Sequence, residues 1–220
     1  MKITKYEHAC LVIEESFDGA QDKRGKRLVI DPGNFAQSLP ANLDNVVGIV
    51  ITHVHADHFD QTHINNLMAV NPAAMIFCPD EVASQLTYDN MQRVSGGSEA
   101  TVEPFRLQFS GGKHAMIHPS FPIAQNVGVM VNNKLYYPGD SFTLPTILPP
   151  VLALPVNAPW LKLAESIDFL MQTKPKTVFP THNAFLSEAG NELVKHMLSG
   201  VIQSVGGTFT VLGVGQSLEI

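Results

Sequence analysis

The stretch Ile49-Val50-Ile51-Thr52-His53-Val54-His55-Ala56-Asp57-His58 decides the fold of this chain. A short apolar run, rich in β-branched residues, ends in three histidines and one aspartate. Such a run predicts a strand that is buried on both faces. Alternation along the extended backbone places the imidazoles of His53 and His55 on one side, and Asp57 and His58 follow in the turn.

The side chains of this turn indicate a metal site. Neutral imidazoles and a carboxylate are the ligands that a borderline ion such as Zn²⁺ prefers. A lone histidine is usually a hydrogen-bonded core or surface residue, but three of them beside an acid, directly after a buried strand, favour metal binding. Because the ligands fall into two adjacent sets, the motif predicts two metal ions.

This motif resembles the H-x-H-x-D-H signature of the metallo-β-lactamase superfamily of hydrolases. Five further features match that superfamily in order along the chain. They are His8-Ala9-Cys10, Ile30-Asp31-Pro32, the segment with His114 and His118, Pro138-Gly139-Asp140-Ser141, and Pro180-Thr181-His182. The chain looks most similar to the small single-domain branch that includes the ascorbate-6-phosphate-lactonase-like proteins and other metal-dependent hydrolases.

The resemblance implies three ligands outside the first motif. It places the third histidine of the first site in the segment that contains His114 and His118. His114 matches better because it falls at a strand end, and His118 stays open as that ligand or as a substrate-binding residue. His182 would complete the second site. Asp140, read alone, is a turn residue, but in this context its carboxylate would bridge two ions about 3.5–4 Å apart.

The expected centre thus has two metal sites and a bridging residue. The ligands of the first site are His53, His55 and His114, and those of the second are Asp57, His58 and His182. Asp140 is the bridge. Three protein ligands per ion leave an open position, which is typical of a catalytic site. We expect a metal-dependent hydrolase in which a hydroxide activated by two divalent ions attacks a small ester, lactone or phosphoester. Zinc is the first choice, and manganese and iron are alternatives.

Asp57 is also the candidate catalytic residue, because it could orient the nucleophile or accept a proton as the bond breaks. The alternative functions are an iron-binding redox or oxygen-handling protein of the same fold, and a phosphodiesterase or nuclease. Redox members commonly carry an attached flavin-binding or rubredoxin-like domain, and the sequence shows no sign of one.

Three other residues have two interpretations each. His8 is a pocket residue, as the resemblance implies, or caps a strand connection. Asp31 orients a metal-bound imidazole or begins a turn before Pro32. Trp160 forms a wall of the pocket or belongs to the core. Substrate specificity is expected in the loops near Phe35, Ser141, Trp160 and Asn183.

Composition limits the class of protein. The 220 residues predict one domain, 1–220, and 45% hydrophobic with 15% charged residues is typical of a globular protein. A net charge of −6 argues against nucleic acid as a partner. The resemblance implies a small-molecule substrate. The sequence indicates a cytoplasmic protein for three reasons. Its two cysteines lie in apolar contexts, it shows no signal peptide, and it has no apolar run long enough for a membrane span. No feature sets the oligomeric state.

The pattern along the chain predicts an α/β protein. Helices are expected over 61–70, capped by Asp60, from a cap at Asp80 through Leu86, over 163–171 and over 192–198. Strands include 75–78 and 102–109, and Asn132-Asn133 predicts a tight hairpin. The basic run 23–27 looks like a solvated hairpin loop. Both halves present a hairpin whose second strand ends in an acidic Pro/Gly turn, which suggests a duplicated four-layer αββα sandwich, as the resemblance also implies.

Overall fold

A computed structural model describes residues 1–15 and 25–220. The first half contains β1 (Lys2–Lys5), β2 (Leu11–Glu15), β3 (Lys26–Ile30), β4 (Val46–Val50), α1 (Gln61–Val70), β5 (Met75–Cys78), α2 (Asp80–Ala83) and β6 (Met91–Arg93). The second contains β7 (Glu99–Val102), β8 (Phe105–Gly111), β9 (Val127–Val131), β10 (Leu135–Tyr137), β11 (Val151–Pro155), α3 (Leu163–Thr173), β12 (Thr177–Thr181), α4 (Glu188–Ser204), β13 (Thr208–Phe209) and β14 (Ser217–Glu219).

The described strands form two mixed sheets with matching topology. The first has the order β14-β1-β2-β3-β4-β5-β6, and the second β13-β12-β11-β10-β9-β8-β7. In the first sheet the pairs from β14 to β3 are antiparallel and those from β3 to β6 parallel. The second repeats this, antiparallel from β7 to β10 and parallel from β10 to β13. The repeated arrangement agrees with the predicted duplication.

Three apolar clusters define the layers. The central cluster joins inward-facing residues of both sheets, such as Leu28 and Val50 from the first and Leu107 and Val129 from the second. A second cluster packs α1 and α2 on the outer face of the first sheet, and a third packs α3 and α4 on the outer face of the second. The predicted αββα sandwich is therefore confirmed. None of the helices in the described ranges is long and apolar enough to cross a membrane.

Several local predictions are confirmed. Helix α1 has the predicted bounds, and the Asp60 carboxylate accepts a hydrogen bond from the His63 backbone N–H. Asn132 and Asn133 both have a φ of 52°, the left-handed conformation that a two-residue hairpin between twisted strands requires.

Other boundaries were predicted wrongly. Residues 102–109 form the end of β7, a turn and most of β8, because Pro104 has no N–H for a strand ladder. Helix α2 ends at Ala83 and follows a cap at Pro79, so Asp80 is its first residue. Helix α4 is longer than predicted because the Ser187 hydroxyl accepts a bond from the Gly190 N–H and starts it early. The predicted loop at 23–27 lies partly outside the described residues, and Lys26 and Arg27 belong to β3.

The exit of β3 packs tightly against the turn that follows β4. Asn34 N–H donates to the Ala56 carbonyl at 2.8 Å. A Cβ on Gly33 would overlap the peptide group that joins Asp57 to His58. The histidine-rich turn therefore has its position only because position 33 has no side chain.

Replacing Gly33 with alanine is expected to destabilise the protein by about 3 kcal/mol, because backbone atoms must move to admit the methyl group. This lowers Tm by roughly 6–12 °C for a chain of this size, measurable by thermal unfolding. Gly112→Ala is the matched control, since Gly112 is exposed and its Cβ would meet no atom of the described residues within 4 Å. An equal Tm for the two variants would contradict the proposed close packing.

Candidate metal centre

Seven predicted ligands meet at one end of the sandwich. They follow the carboxyl ends of strands, where open α/β sheets place their ligand sites. His53, His55, Asp57 and His58 follow β4, His114 follows β8, Asp140 follows β10 and His182 follows β12.

The seven side chains form two clusters that share one carboxylate. In the first, ligand atoms of His53, His55, His114 and Asp140 all lie within 4.8 Å of one another. In the second, those of Asp57, His58 and His182 lie equally close, together with that of His8. These are the two sets that the sequence predicted.

The Asp140 carboxylate stands between the clusters with one oxygen toward each. Its Oδ2 lies 3.2 Å from His114 Nε2 and 4.0 Å from His53 Nε2. Its Oδ1 lies 2.8 Å from His182 Nε2 and 3.2 Å from His58 Nε2. A carboxylate in this position can give one oxygen to each of two ions.

Hydrogen bonds at the outer ring nitrogens favour one tautomer for four of the histidines. In each, Nδ1 contacts an oxygen that can only accept, so Nδ1 carries a proton, and in the neutral ring the Nε2 lone pair faces the centre. The Thr52 hydroxyl is such an acceptor because its own hydrogen goes to Asp31. The four contacts are His53 to Thr52 Oγ1 (3.0 Å), His58 to Asp31 Oδ2 (2.6 Å), His114 to the Ala115 carbonyl (2.5 Å) and His182 to the Asn157 carbonyl (3.1 Å).

The inward-facing atoms fit a pair of cations. His53 Nε2 and Asp140 Oδ1 are buried and have no hydrogen-bond partner among the described residues. The Nε2 atoms of His58 and His182 lie only 2.7 Å apart, so without a metal they share a proton, and a cation could take that proton's place. Unpaired buried polar atoms are rare in proteins, and here they converge on two points that a divalent ion would satisfy.

The two central carboxylates are held ionised. Burial by itself raises the pKa of Asp140, but the charges of His58 and His182 outweigh it and hold that pKa well below its usual value. Burial likewise raises the pKa of Asp57. The hydrogen bond from His8 and the charges of His58 and His182 have the larger effect, so the net result is a pKa below the usual value. Both side chains therefore offer negative charge to an incoming ion.

Asp31 supports the second cluster from behind. Its fully buried carboxylate accepts the Nδ1–H of His58, the backbone N–H of Thr52 at 2.7 Å and the Thr52 hydroxyl at 2.6 Å. Of its two predicted roles, the structure thus shows the contact that orients an imidazole. Asp31 (φ 47°), His8 (φ 60°) and His182 (φ 61°) all have left-handed backbone conformations, a strain that proteins tolerate mainly at functional sites.

His8 and Trp160 also reach the cluster. His8 Nε2 lies 3.1 Å from Asp57 Oδ2, so the ring donates to that carboxylate, and the His8 carbonyl accepts from the His182 N–H. Trp160 Nε1 donates to Asp140 Oδ2 at 2.8 Å. Trp160 is almost fully buried but borders the adjoining cavity, so both of its interpretations hold in part.

His118 lies outside both clusters. It is exposed, and its Nδ1 bonds to Ser120. Of the two histidines, His114 is the one that lies with His53 and His55 in the first cluster.

Sequence reasoning missed two supporting residues. Asn126 is fully buried, accepts the Asp140 N–H at 2.9 Å and donates to the Pro138 carbonyl at 3.0 Å. Thr52 links Asp31 to His53. Each is a polar residue at one end of an apolar strand, and that position is the signal that could have found them.

The fold and the donor set define the class: an αββα sandwich with two adjacent His/Asp groups at its strand ends that could hold divalent metal. The model of the beta-lactamase superfamily domain matches residues 2–182, and the chain belongs to this superfamily. This confirms the resemblance at the superfamily level, and the lactonase-like branch stays a prediction.

The chain is also similar to a curated protein and to solved structures. Protein Rv0786c of Mycobacterium tuberculosis is 32% identical over 192 residues, or 85% of this chain and 86% of its own. Igni18, a metallo hydrolase from Ignicoccus hospitalis, is 18% identical with a TM-score of 0.71, covering 100% of this chain and 98% of its own. CmlA, a diiron β-hydroxylase from Streptomyces venezuelae, is 13% identical with a TM-score of 0.68, covering 100% and 54%. At these identities, the two structures show a shared fold alone.

Replacing Asp31 with asparagine is expected to weaken metal binding about 10–100-fold, because the neutral amide no longer strengthens the His58 imidazole as a donor. Competition with a chromogenic chelator measures the change. Asp168→Asn, which alters an exposed carboxylate on α3, is the control and should leave the affinity unchanged. Unchanged affinity in the Asp31 variant would mean that this carboxylate does not act on the metal centre.

Lys5 lies behind the His182 turn and gives a pH-dependent signal. Its buried Nζ donates to Asn183 Oδ1 at 3.1 Å, and burial lowers the pKa of Lys5 from 10.5 to about 8. Between these two pH values the unfolded chain holds the proton more tightly than the folded chain, so stability rises with pH.

We therefore expect the free energy of unfolding of the native chain to rise between pH 8 and 10.5 relative to that of Lys5→Met, which has no ionisable group there. Urea unfolding at several pH values measures the difference. Lys2→Met, which changes an exposed lysine of the same strand, should run parallel to the native chain. A constant difference between native and Lys5→Met protein would contradict a depressed pKa.

Proposed function

We propose that this protein is a metal-dependent hydrolase with two divalent ions, zinc first and manganese or iron as alternatives, that cleaves a small ester, lactone or phosphoester. The observation that carries the proposal is the position of Asp140, whose two oxygens face two separate groups of imidazole nitrogens. A structural metal site is closed, with four protein ligands around one ion. A carboxylate shared between two groups of imidazoles does not fit that pattern and favours a catalytic site.

His53, His55 and His114 would hold one ion and Asp57, His58 and His182 the other, with Asp140 shared. Such a pair of ions lowers the pKa of a bound water toward neutrality and polarises the oxygen of a substrate. His55, Asp57 and His114 also border a cavity that opens beside the cluster. A small molecule in that cavity would therefore have its reacting bond at the ligands.

Asp57 is our proposed catalytic side chain. Its carboxylate is partly exposed, whereas that of Asp140 is almost fully buried. The hydrogen bond from His8 Nε2 to Asp57 Oδ2 restrains the orientation of this carboxylate. The carboxylate can still accept a hydrogen bond from the attacking water on the side that borders the cavity. Asp57 would hold that water's proton, or orient the water, as the substrate bond breaks.

An iron-dependent redox reaction is the second candidate. Histidine and carboxylate donors suit iron as well as zinc, and the fold is shared with a diiron β-hydroxylase. The visible absorption spectrum of the purified protein separates this candidate from a zinc or manganese hydrolase, which lacks the intense charge-transfer bands of an oxo-bridged diiron centre. Turnover of an ester or phosphoester separates it from an iron hydrolase.

Removal of metal tests the proposal. We expect the purified protein to contain about two ions per chain by mass spectrometry, to lose activity on a panel of lactones and phosphodiesters after chelation, and to regain it with Zn²⁺ or Mn²⁺. Asp140→Ala should lower kcat/KM at least about 100-fold and reduce the bound metal. His196→Ala, at an exposed histidine of α4, should change neither. Activity indifferent to chelators would end the proposal.

A further inference from the structure

The cavity beside the cluster has a mostly apolar wall. It encloses about 360 Å³, at the low end of the range for small-molecule sites. Apart from the proposed ligands, six of its seven lining residues are apolar. The apolar six are Phe35, Ala56, Ile117, Pro159, Trp160 and Phe185, and the seventh is Asn34.

Aromatic rings form two sides of this cavity. Phe35 and Phe185 pack edge to face with ring centroids 5.1 Å apart, and both contact the His8 ring, at 5.0 and 5.4 Å. On the other side, Phe142 supports Trp160 with centroids 5.3 Å apart. Phe185 is 60% exposed, so burying it against a bound molecule would stabilise the complex.

The cavity offers no positive side chain to an anion. Within the described ranges 1–15 and 25–220, no lysine or arginine lines it. Two divalent ions would bring positive charge, but Asp57, Asp140, the nearby Asp31 and a hydroxide together cancel it. Asp57 also borders the cavity directly. A phosphate dianion would therefore enter a site that is close to neutral overall, without the arginine or lysine that phosphate recognition normally uses.

From this wall we propose that the substrate is an uncharged carboxylic ester or lactone with an apolar acyl or aromatic group, rather than a phosphoester. The inference rests on the proposed hydrolase function and narrows its substrate class. In the reaction, a water oxygen bonds to the carbonyl carbon and the bond from that carbon to the alkoxy oxygen breaks. The alkoxy group takes one proton, and a carboxylate and a second proton are released, with no change in oxidation state.

A substrate panel on zinc-loaded protein tests the class. The 4-nitrophenyl esters of acetate, butyrate and hexanoate would be compared with 4-nitrophenyl phosphate and bis(4-nitrophenyl) phosphate. We expect kcat/KM to rise about tenfold from acetate to butyrate, because each buried methylene contributes to binding, and to be at least about 100-fold lower for both phosphoesters. Preference for either phosphoester, or equal values for all esters, would overturn the inference.

Matched variants locate the effect in the aromatic wall. Phe185→Ala should raise KM for the butyrate ester about five- to tenfold with kcat within about twofold, because the lost contact is with the acyl group and not with the reacting bond. Leu193→Ala on α4 is the control, because the exposed fraction of Leu193, 59%, is nearly the same as that of Phe185. This substitution should leave both constants unchanged. An equal effect of the two substitutions would contradict the proposed wall.

Binding can be read without turnover, because Trp160 is the only tryptophan of the chain and lines the cavity. Butyranilide, an uncharged amide analogue, should change its fluorescence saturably in metal-free protein, and Phe185→Ala should weaken that binding. Saturable binding with no turnover of any ester or phosphoester would refute the hydrolase function and leave the apolar cavity supported. Efficient phosphoester turnover without anilide binding would refute the substrate class and leave the hydrolase supported.

Discussion

The Asp140 carboxylate is buried between imidazole nitrogens whose lone pairs face inward. A buried charge is costly unless it is paired, and no lysine or arginine of the described residues forms an ion pair with this one. In the absence of metal, its partners are the rings of His58, His114 and His182, whose outer nitrogens bond to Asp31 and to backbone carbonyls. Divalent cations at the centre would pair with this charge, and the outer hydrogen bonds hold the imidazole rings in position for them.

The sandwich supplies the rigidity that such a centre needs. Each half of the chain ends an antiparallel set of strands with an acidic turn, Asp31 after β3 and Asp140 after β10. One half thus contributes the carboxylate that orients a histidine, and the other the carboxylate that lies between the clusters. Because Asp31 and Asp140 have different roles at equivalent positions, two copies of one β-rich unit can build an asymmetric site.

Much of this could be predicted from the sequence, because the ligands follow strands whose apolar patterns are clear. The sandwich and the grouping of ligands around residues 53–58 follow from such patterns. The split of residues 102–109 into two strands was harder to predict, because apolar residues continue on both sides of Pro104 although their alternation breaks between Val102 and Phe105. The roles of Asn126 and Phe185 depend on which loops face each other across the cavity, and sequence spacing does not contain that information.

Anomalous diffraction from crystals grown with Zn²⁺ or Mn²⁺ tests the central claim most directly. The account predicts two peaks about 3.5–4 Å apart, one beside Asp140 Oδ2 and His53, the other beside Asp140 Oδ1 and His182. A single peak, or peaks that leave the Asp140 carboxylate without a metal neighbour, would contradict it.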